Sequence, residues 1–260
     1  MNYKREILSL NNGKAEVITI QTNSQNSLTP QNMQELGDIL EEIQKEDSIK
    51  GVVITSENPK FFCNGLDAET LLSTPSEELV EAVGGICILF GRMLRFDKPV
   101  VTEVTGHAMG GGAVITIASD YKYMLESGCR IGFTEVMVGL PLPGMFVYKI
   151  QDVIHPTKIS EVCLESGTYK GKEAKEIGLI DEVAKTKEEL RNLTLRKLEN
   201  VFRFPLTALR YTKQNINRRA LVDFELHLQN SKSWLEIPVV RDNLLEAMKA
   251  LLEKRRAILK

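Results

Sequence analysis

The 260-residue chain has no long block of Lys and Arg, and its formal charge at neutral pH is only −2. A protein that tracks a phosphate backbone needs a basic patch or stripe, so nucleic acid is not an expected partner. The four cysteines, Cys63, Cys87, Cys129 and Cys163, are widely scattered, and no CxxC occurs. That excludes the common zinc and redox spacings and suits reduced thiols in a cytosolic compartment. His107, His155 and His227 stand alone, without ligand spacing, so no metal site is expected. No apolar stretch is long and continuous enough to span a bilayer. The opening Met1-Asn2-Tyr3-Lys4-Arg5-Glu6 lacks a signal core, and its early Glu6 argues against a transit peptide. Ile258-Leu259-Lys260 is not the peroxisomal Ser-Lys-Leu. The expectation left is a cytoplasmic protein without a membrane partner.

What is present suits a globule with a real core: hydrophobic residues make up 43% of the chain. Ile7–Leu10, Asn11-Asn12-Gly13 and Ala15–Ile20 read as a hairpin. Thr29 is a candidate N-cap with Pro30 at the first helical position, followed by apolar residues at helical spacing. Gly51–Thr55, Pro99–Val104, Tyr121–Leu125 and Gly178–Val183 read as strands. Glu77–Arg95 and a segment opened by His155-Pro156 read as helices between them. Alternation of this kind favours α/β. After Lys185 the pattern turns helical, over 187–204, 206–218, 219–235 and 239–258, with Pro205 and Pro238 as breaks. The expected organisation is therefore an α/β core over 1–186 and a helical C-terminal subdomain over 187–260. The apolar helix faces should cover the core or pack on another subunit. Lys254-Arg255-Arg256 reads as a solvated cluster at a helix C-terminus.

Three segments carry candidate chemistry. Gly110-Gly111-Gly112 precedes the apolar helix Ala113–Asp120. It does not fit GxGxxG, and no Walker Lys-Ser/Thr follows it. Such a run serves close backbone packing, or it aims N–H groups and a positive helix end at a developing negative oxygen; the residues alone leave both open. Phe61-Phe62-Cys63-Asn64-Gly65-Leu66-Asp67 supplies a second tight turn after a strand. Glu135 is either a solvated loop carboxylate or a base. The neighbouring Phe133, Val136, Met137, Val138 and Leu140 suggest an apolar surround that would raise its pKa. Glu103 interrupts a strand that should be buried; either its side chain reaches solvent or pairs with a lysine, or it is a second acid from another direction. Cys63 has no visible base to activate it as a nucleophile.

Four motifs in order resemble the crotonase superfamily, the enoyl-CoA hydratase/isomerase family. They are Phe61–Asp67, Lys98–Val101 followed by Gly106–Gly112, Ile131–Glu135, and Gly171–Asp181. The resemblance implies a spiral of ββα turns, assembly as a homotrimer or homohexamer, and an acyl-CoA thioester as partner. It implies no cofactor, since CoA arrives as part of the substrate. Carried over by position, it places Glu135 as the catalytic carboxylate and the backbone N–H groups of Leu66 and Gly111 as the oxyanion hole. Lys60, Asn64, Gly65, Asp67, Gly110, Val114 and Leu140 are the accompanying candidates for substrate binding. Lys60 is the one that would meet a CoA phosphate.

Val114 departs from the pattern. Hydratases of this family hold their attacking water between two glutamates, one of them at this position. A single carboxylate suffices to take a proton from C2 and return it at C4, so the expected reaction is isomerisation of 3-enoyl-CoA to trans-2-enoyl-CoA. The alternatives are another crotonase-type reaction, such as hydration or decarboxylation using Glu103 or a distinct water site, and a catalytically silent acyl-CoA-binding subunit. A Rossmann-type oxidoreductase is weakest, for want of a fingerprint. Val114 is expected to face the cavity opposite Glu135.

Overall fold

The computed structural model describes residues 2–260. Strands β1 (Tyr3–Leu10) and β2 (Gly13–Ile20) form the antiparallel hairpin, with Tyr3 opposite Ile20 and Leu10 opposite Gly13. Helix α1 (Pro30–Lys45) starts where Thr29 accepts a hydrogen bond from the Asn32 N–H, while the Asn32 side chain accepts one from the Thr29 N–H. This reciprocal capping occupies two donors that the helix leaves free.

From here the chain repeats one move. Strand β3 (Ile49–Ser56) joins the large sheet, and β4 (Phe61–Cys63) steps out into a smaller one. Helices α2 (Ala68–Ser73) and α3 (Leu79–Arg95) then carry the chain back. Strands β5 (Val100–Val104) and β6 (His107–Met109) repeat the step and lead into α4 (Gly111–Ala118). Strands β7 (Tyr121–Leu125) and β8 (Ile131–Gly132) do so again, followed by α5 (Gly144–Val153), α6 (Ile159–Leu164) and α7 (Gly171–Glu176). A last strand, β9 (Glu182–Ala184), completes a six-stranded sheet in the order β1-β2-β3-β5-β7-β9; the small sheet runs β4-β6-β8. Every pairing between these strands after the first hairpin is parallel. This is the ββα spiral that the sequence motifs implied. The apolar runs Val52-Val53-Ile54 and Val100-Val101 are fully buried, as strands covered on both faces must be.

The C-terminal helices are α8 (Lys187–Val201), α9 (Leu206–Leu221), α10 (Phe224–Glu236) and α11 (Pro238–Glu253). Thr186 caps α8 through the Glu189 N–H. Leu190, Leu198 and Phe202 bury against Val53, Val101 and Tyr123 on the outer face of the large sheet. Leu235, Leu244, Ala247 and Met248 bury against Leu71, Leu79 and Val83. Large apolar side chains remain exposed on this region, Phe204 and Ile216 at 60% among them. Among the described residues no helix is long and apolar enough to cross a membrane.

Several boundaries differ from the sequence reading. Leu179 and Ile180 are buried in a turn rather than a strand, because Gly178 closes α7 at φ 88° and the strand begins only at Glu182. Helix α9 runs past residue 218 to Leu221, and the chain breaks at Asp223, which is left-handed at φ 56°. Helix α11 stops at Glu253; residues 254–258 are not helical.

Candidate active site

Two turns from neighbouring strands of the small sheet meet at its edge. After β4, Gly65 takes φ 82° and lets the chain close on β6. A Cβ there would stand 3.1 Å from the Met109 carbonyl and 3.5 Å from the Gly111 nitrogen. Past this turn Leu66 pairs with Leu28: Leu28 N–H donates to Gly65 O at 2.8 Å and Asp67 N–H donates to Leu28 O at 2.9 Å. In extended backbone the intervening N–H points to the other side, so that of Leu66 is turned away from Leu28. Gly111 is the first residue of α4, and its N–H has no partner within the helix. Asn26 supports this corner from behind, its side-chain amide donating to Ile20 O, Ser56 Oγ and Phe62 O.

Glu135 approaches from β8. A 3₁₀ turn over Val136–Val138 follows it, closed by Gly139 at φ 79°. The carboxylate oxygen Oε2 is sealed from solvent and has no hydrogen-bond partner. Burial pushes the Glu135 pKa up to about 7, with one backbone hydrogen bond opposing the shift. The expected apolar surround exists, and the expected neighbours supply part of it: Phe133 is buried and Val138 and Leu140 line the cavity, while the 3₁₀ turn leaves Val136 and Met137 exposed. Further cover comes from Ile86 and Cys87 on α3 and Phe146 on α5. The charge of Glu135 also reaches the thiols of Cys87 and Cys163, both raised chiefly by burial.

A cavity of about 1230 Å³ joins these parts. Asn64, Gly65, Leu66, Gly110, Gly111, Glu135 and Leu140 all line it, so the structure gathers seven of the sequence candidates in one place. The far walls come from α3, α10 and α11 and from residues 255–259, with Trp234, Leu235 and Met248 prominent. Sequence motifs missed these walls, since the residues are distant in the chain and carry no chemistry. The only signal was the apolar excess of the C-terminal helices. Among the described residues, Glu135 is the one acidic side chain lining the cavity.

Three candidates lie elsewhere. Val114 does not line the cavity; it is 1% exposed within the main apolar core. The expectation that it faces Glu135 across the cavity is corrected. Asp67 caps α2 through the Thr70 N–H at 2.9 Å and accepts from Ser27 Oγ at 2.6 Å, so it fixes the turn rather than lining the cavity. Lys60 is exposed and sits 5.1 Å from the centroid of the Phe61 ring, outside the cavity lining. Glu103 is held by Arg191, with Nε to Oε1 at 2.8 Å and Nη2 to Oε2 at 2.9 Å, and is likewise absent from the cavity. The side chain is paired with a cation, an arginine in place of the lysine that the sequence suggested. His107 Nδ1 accepts the Arg130 N–H, and His155 caps a 3₁₀ turn. Cys63 is buried, its thiol pushed up to about 12, which leaves no thiolate for nucleophilic attack.

A family model described as enoyl-CoA hydratase/isomerase matches residues 11–260. Short-chain-enoyl-CoA hydratase of Clostridium acetobutylicum is 26% identical over 249 residues, covering 94% of this chain and 93% of that protein. Mitochondrial enoyl-CoA delta isomerase 1 of Rattus norvegicus is 26% identical over 236 residues, covering 88% of this chain and 79% of that protein. The crystal structure of human mitochondrial delta3-delta2-enoyl-CoA isomerase superposes with a TM-score of 0.88 at 20% identity, over 98% of this chain and 99% of that one. The chain belongs to the enoyl-CoA hydratase/isomerase family, within the crotonase superfamily.

Proposed function

We propose that this family member isomerises 3-enoyl-CoA to trans-2-enoyl-CoA. The observation that carries the reading is the single carboxylate in the cavity, set in the same space as the free N–H groups of Leu66 and Gly111. A thioester carbonyl placed on those donors becomes more acidic at C2, because the negative oxygen of the dienolate is met by dipoles already in position. Glu135 takes the C2 proton. The double bond then shifts from C3–C4 to C2–C3 as Glu135 returns the proton to C4. The carboxylate ends ionised as it began, and the step needs no metal or redox cofactor. Desolvation suits Glu135 to this cycle, since a base near neutral pKa both accepts and releases a proton readily. Hydration would require a second group to fix and polarise water, and the cavity lining offers no other carboxylate.

The test is a panel of CoA esters followed through the absorbance of the conjugated enoyl thioester. Rapid conversion of 3-hexenoyl-CoA with little hydration of crotonyl-CoA supports the reading. Hydration as fast as isomerisation overturns it. The exposed apolar side chains of the C-terminal helices support assembly as a homotrimer or a pair of trimers. A stable monomer in equilibrium sedimentation at micromolar concentration would contradict that assembly.

A further inference from the structure

Beyond α11 the chain doubles back. Lys254 takes a left-handed conformation, φ 54° and ψ 39°, and the Arg255 N–H returns to the Ala250 carbonyl at 3.0 Å. The last residues then lie along α11, held by two of its side chains. Glu246 accepts from Arg255 Nη2 at 2.9 Å and from the Ile258 N–H at 3.1 Å. Asn243 accepts the Lys260 N–H at 2.8 Å and donates to the Lys260 carbonyl at 3.2 Å. Asn243 and Glu246 are three apart and share one helix face. The strap is thus clasped at both ends by side chains of one element.

The face of α11 that clasps the strap also meets the catalytic turn. The Cβ of Asn243 stands 2.5 Å from where a Cβ on Gly139 would be, and Gly139 closes the turn that carries Glu135. Between the clasps, Ala257, Ile258 and Leu259 line the cavity. Ile258 is 81% exposed, and two other lining side chains, Met137 and Leu251, are exposed at 57% and 49%. Apolar side chains left open on the wall of a cavity gain when a ligand removes them from water. Arg255 is bound by both Glu246 and Glu253, so its charge is spent on holding the strap; Arg256, which precedes the three apolar residues, also lines the cavity.

We infer that residues 257–259 form the wall against which the hydrocarbon chain of the substrate lies, so that the strap sets how acyl length is recognised. The inference rests on the acyl-CoA reading above and names the chain segment that meets the acyl tail. The apolar character of the wall and its place in the same cavity as Glu135 match a hydrocarbon leaving the thioester. They do not match the nucleotide, which lies a whole pantetheine arm away.

The experiment is calorimetric titration with CoA and with butanoyl-, octanoyl- and dodecanoyl-CoA. The unaltered chain is compared with a variant carrying Ile258→Ser and Leu259→Ser, both residues lying in the strap outside α11. Matching far-UV spectra and unfolding temperatures establish that the fold is kept. The expected result is about tenfold weaker binding of dodecanoyl-CoA by the variant, a lost contribution that converts to a factor of ten in Kd. CoA and butanoyl-CoA should change less than twofold. An equal loss for every ligand, CoA included, would place the strap at the nucleotide end and overturn the inference. So would unchanged binding throughout. If the unaltered chain binds no acyl-CoA at all, the failure belongs to the acyl-CoA reading, and the inference falls with it.

Discussion

Glu135 Oε1 lies 3.9 Å from the point where a Cβ on Gly110 would stand, and Thr134 Oγ1 lies 3.2 Å from that point. Gly110 is the residue before the helix whose first N–H faces the cavity, and it holds φ 48° and ψ −112°. The space above Gly110 is therefore the gap between the base and the oxyanion donors. Gly110→Ala should strain the backbone by about 1–3 kcal/mol and put a methyl group into that gap. The expected outcome is a loss in kcat of roughly 100-fold or more, as when one oxyanion contact is removed. Far-UV circular dichroism should be unchanged and the unfolding temperature lowered. Turnover close to that of the unaltered chain would show that the reacting atoms sit elsewhere.

Glu135→Gln separates the base from its burial. Turnover should fall at least about 100-fold, the usual contribution of a general base, while binding of a CoA ester persists. Stability should move the opposite way. The carboxyl titrates near 7 in the folded chain against an ordinary 4.5, so the folded state holds the extra proton between those values. Its contribution to stability is fully present below about 4.5 and is lost as pH rises through 7. At pH 8 the Gln variant should be the more stable, by as much as about 3 kcal/mol, and near pH 4 the two should coincide. Urea titrations at the two pH values decide this. In the unaltered chain kcat should climb with pH and level off above about 7, because the base acts when ionised.

Much of the fold was legible because its signals are local. Thr29 and Pro30 announce α1 within a few residues, and β3 holds the β-branched run Val52-Val53-Ile54-Thr55. Five of the seven candidates that gather at the cavity come from turns with fixed glycine positions, Gly65 and Gly110, and Glu135 and Leu140 flank the turn closed by Gly139; positive φ leaves little choice at each. The orientation of Val114 was not legible for a physical reason. All eight residues of α4 are buried, so no polar face marks which side looks toward the cavity. The strap was missed because Lys254 adopts the left-handed turn without a glycine to signal it. Its clasps pair residues of α11 with groups that only the reversal brings near.

Glu103 and Arg191 give a third expectation. The carboxylate is buried and the guanidinium is about one-third exposed. Arg191→Ala would leave Glu103 without its cation, and removing one partner of a buried pair costs about 3–5 kcal/mol. The exposure of Arg191 places the expected loss near the lower end. Glu103→Gln keeps the shape and should leave kcat for 3-enoyl-CoA within about twofold, since the side chain is remote from the cavity. A large fall in kcat without a fall in unfolding temperature would restore Glu103 as a catalytic acid.

Val114→Glu tests the one-carboxylate argument in its corrected form. Sequence position alone suggests that a glutamate here would restore a second acid and raise hydration. The structure places the side chain in the apolar core, 1% exposed and outside the residues that line the cavity. A carboxyl forced into that site is desolvated and unpaired, at a cost of about 3 kcal/mol or more. It escapes part of the cost by staying protonated, and a neutral carboxylic acid is a poor base for activating water. The expected variant is destabilised, with hydration of crotonyl-CoA no higher than before. Its unfolding temperature should fall further at pH 8 than at pH 5, because ionisation adds to the burial cost. A stable variant that hydrates crotonyl-CoA at a rate comparable to its isomerisation would mean that residue 114 can reach the cavity. In that case the position of this one side chain, rather than the count of carboxylates alone, would set which reaction the family's common site performs.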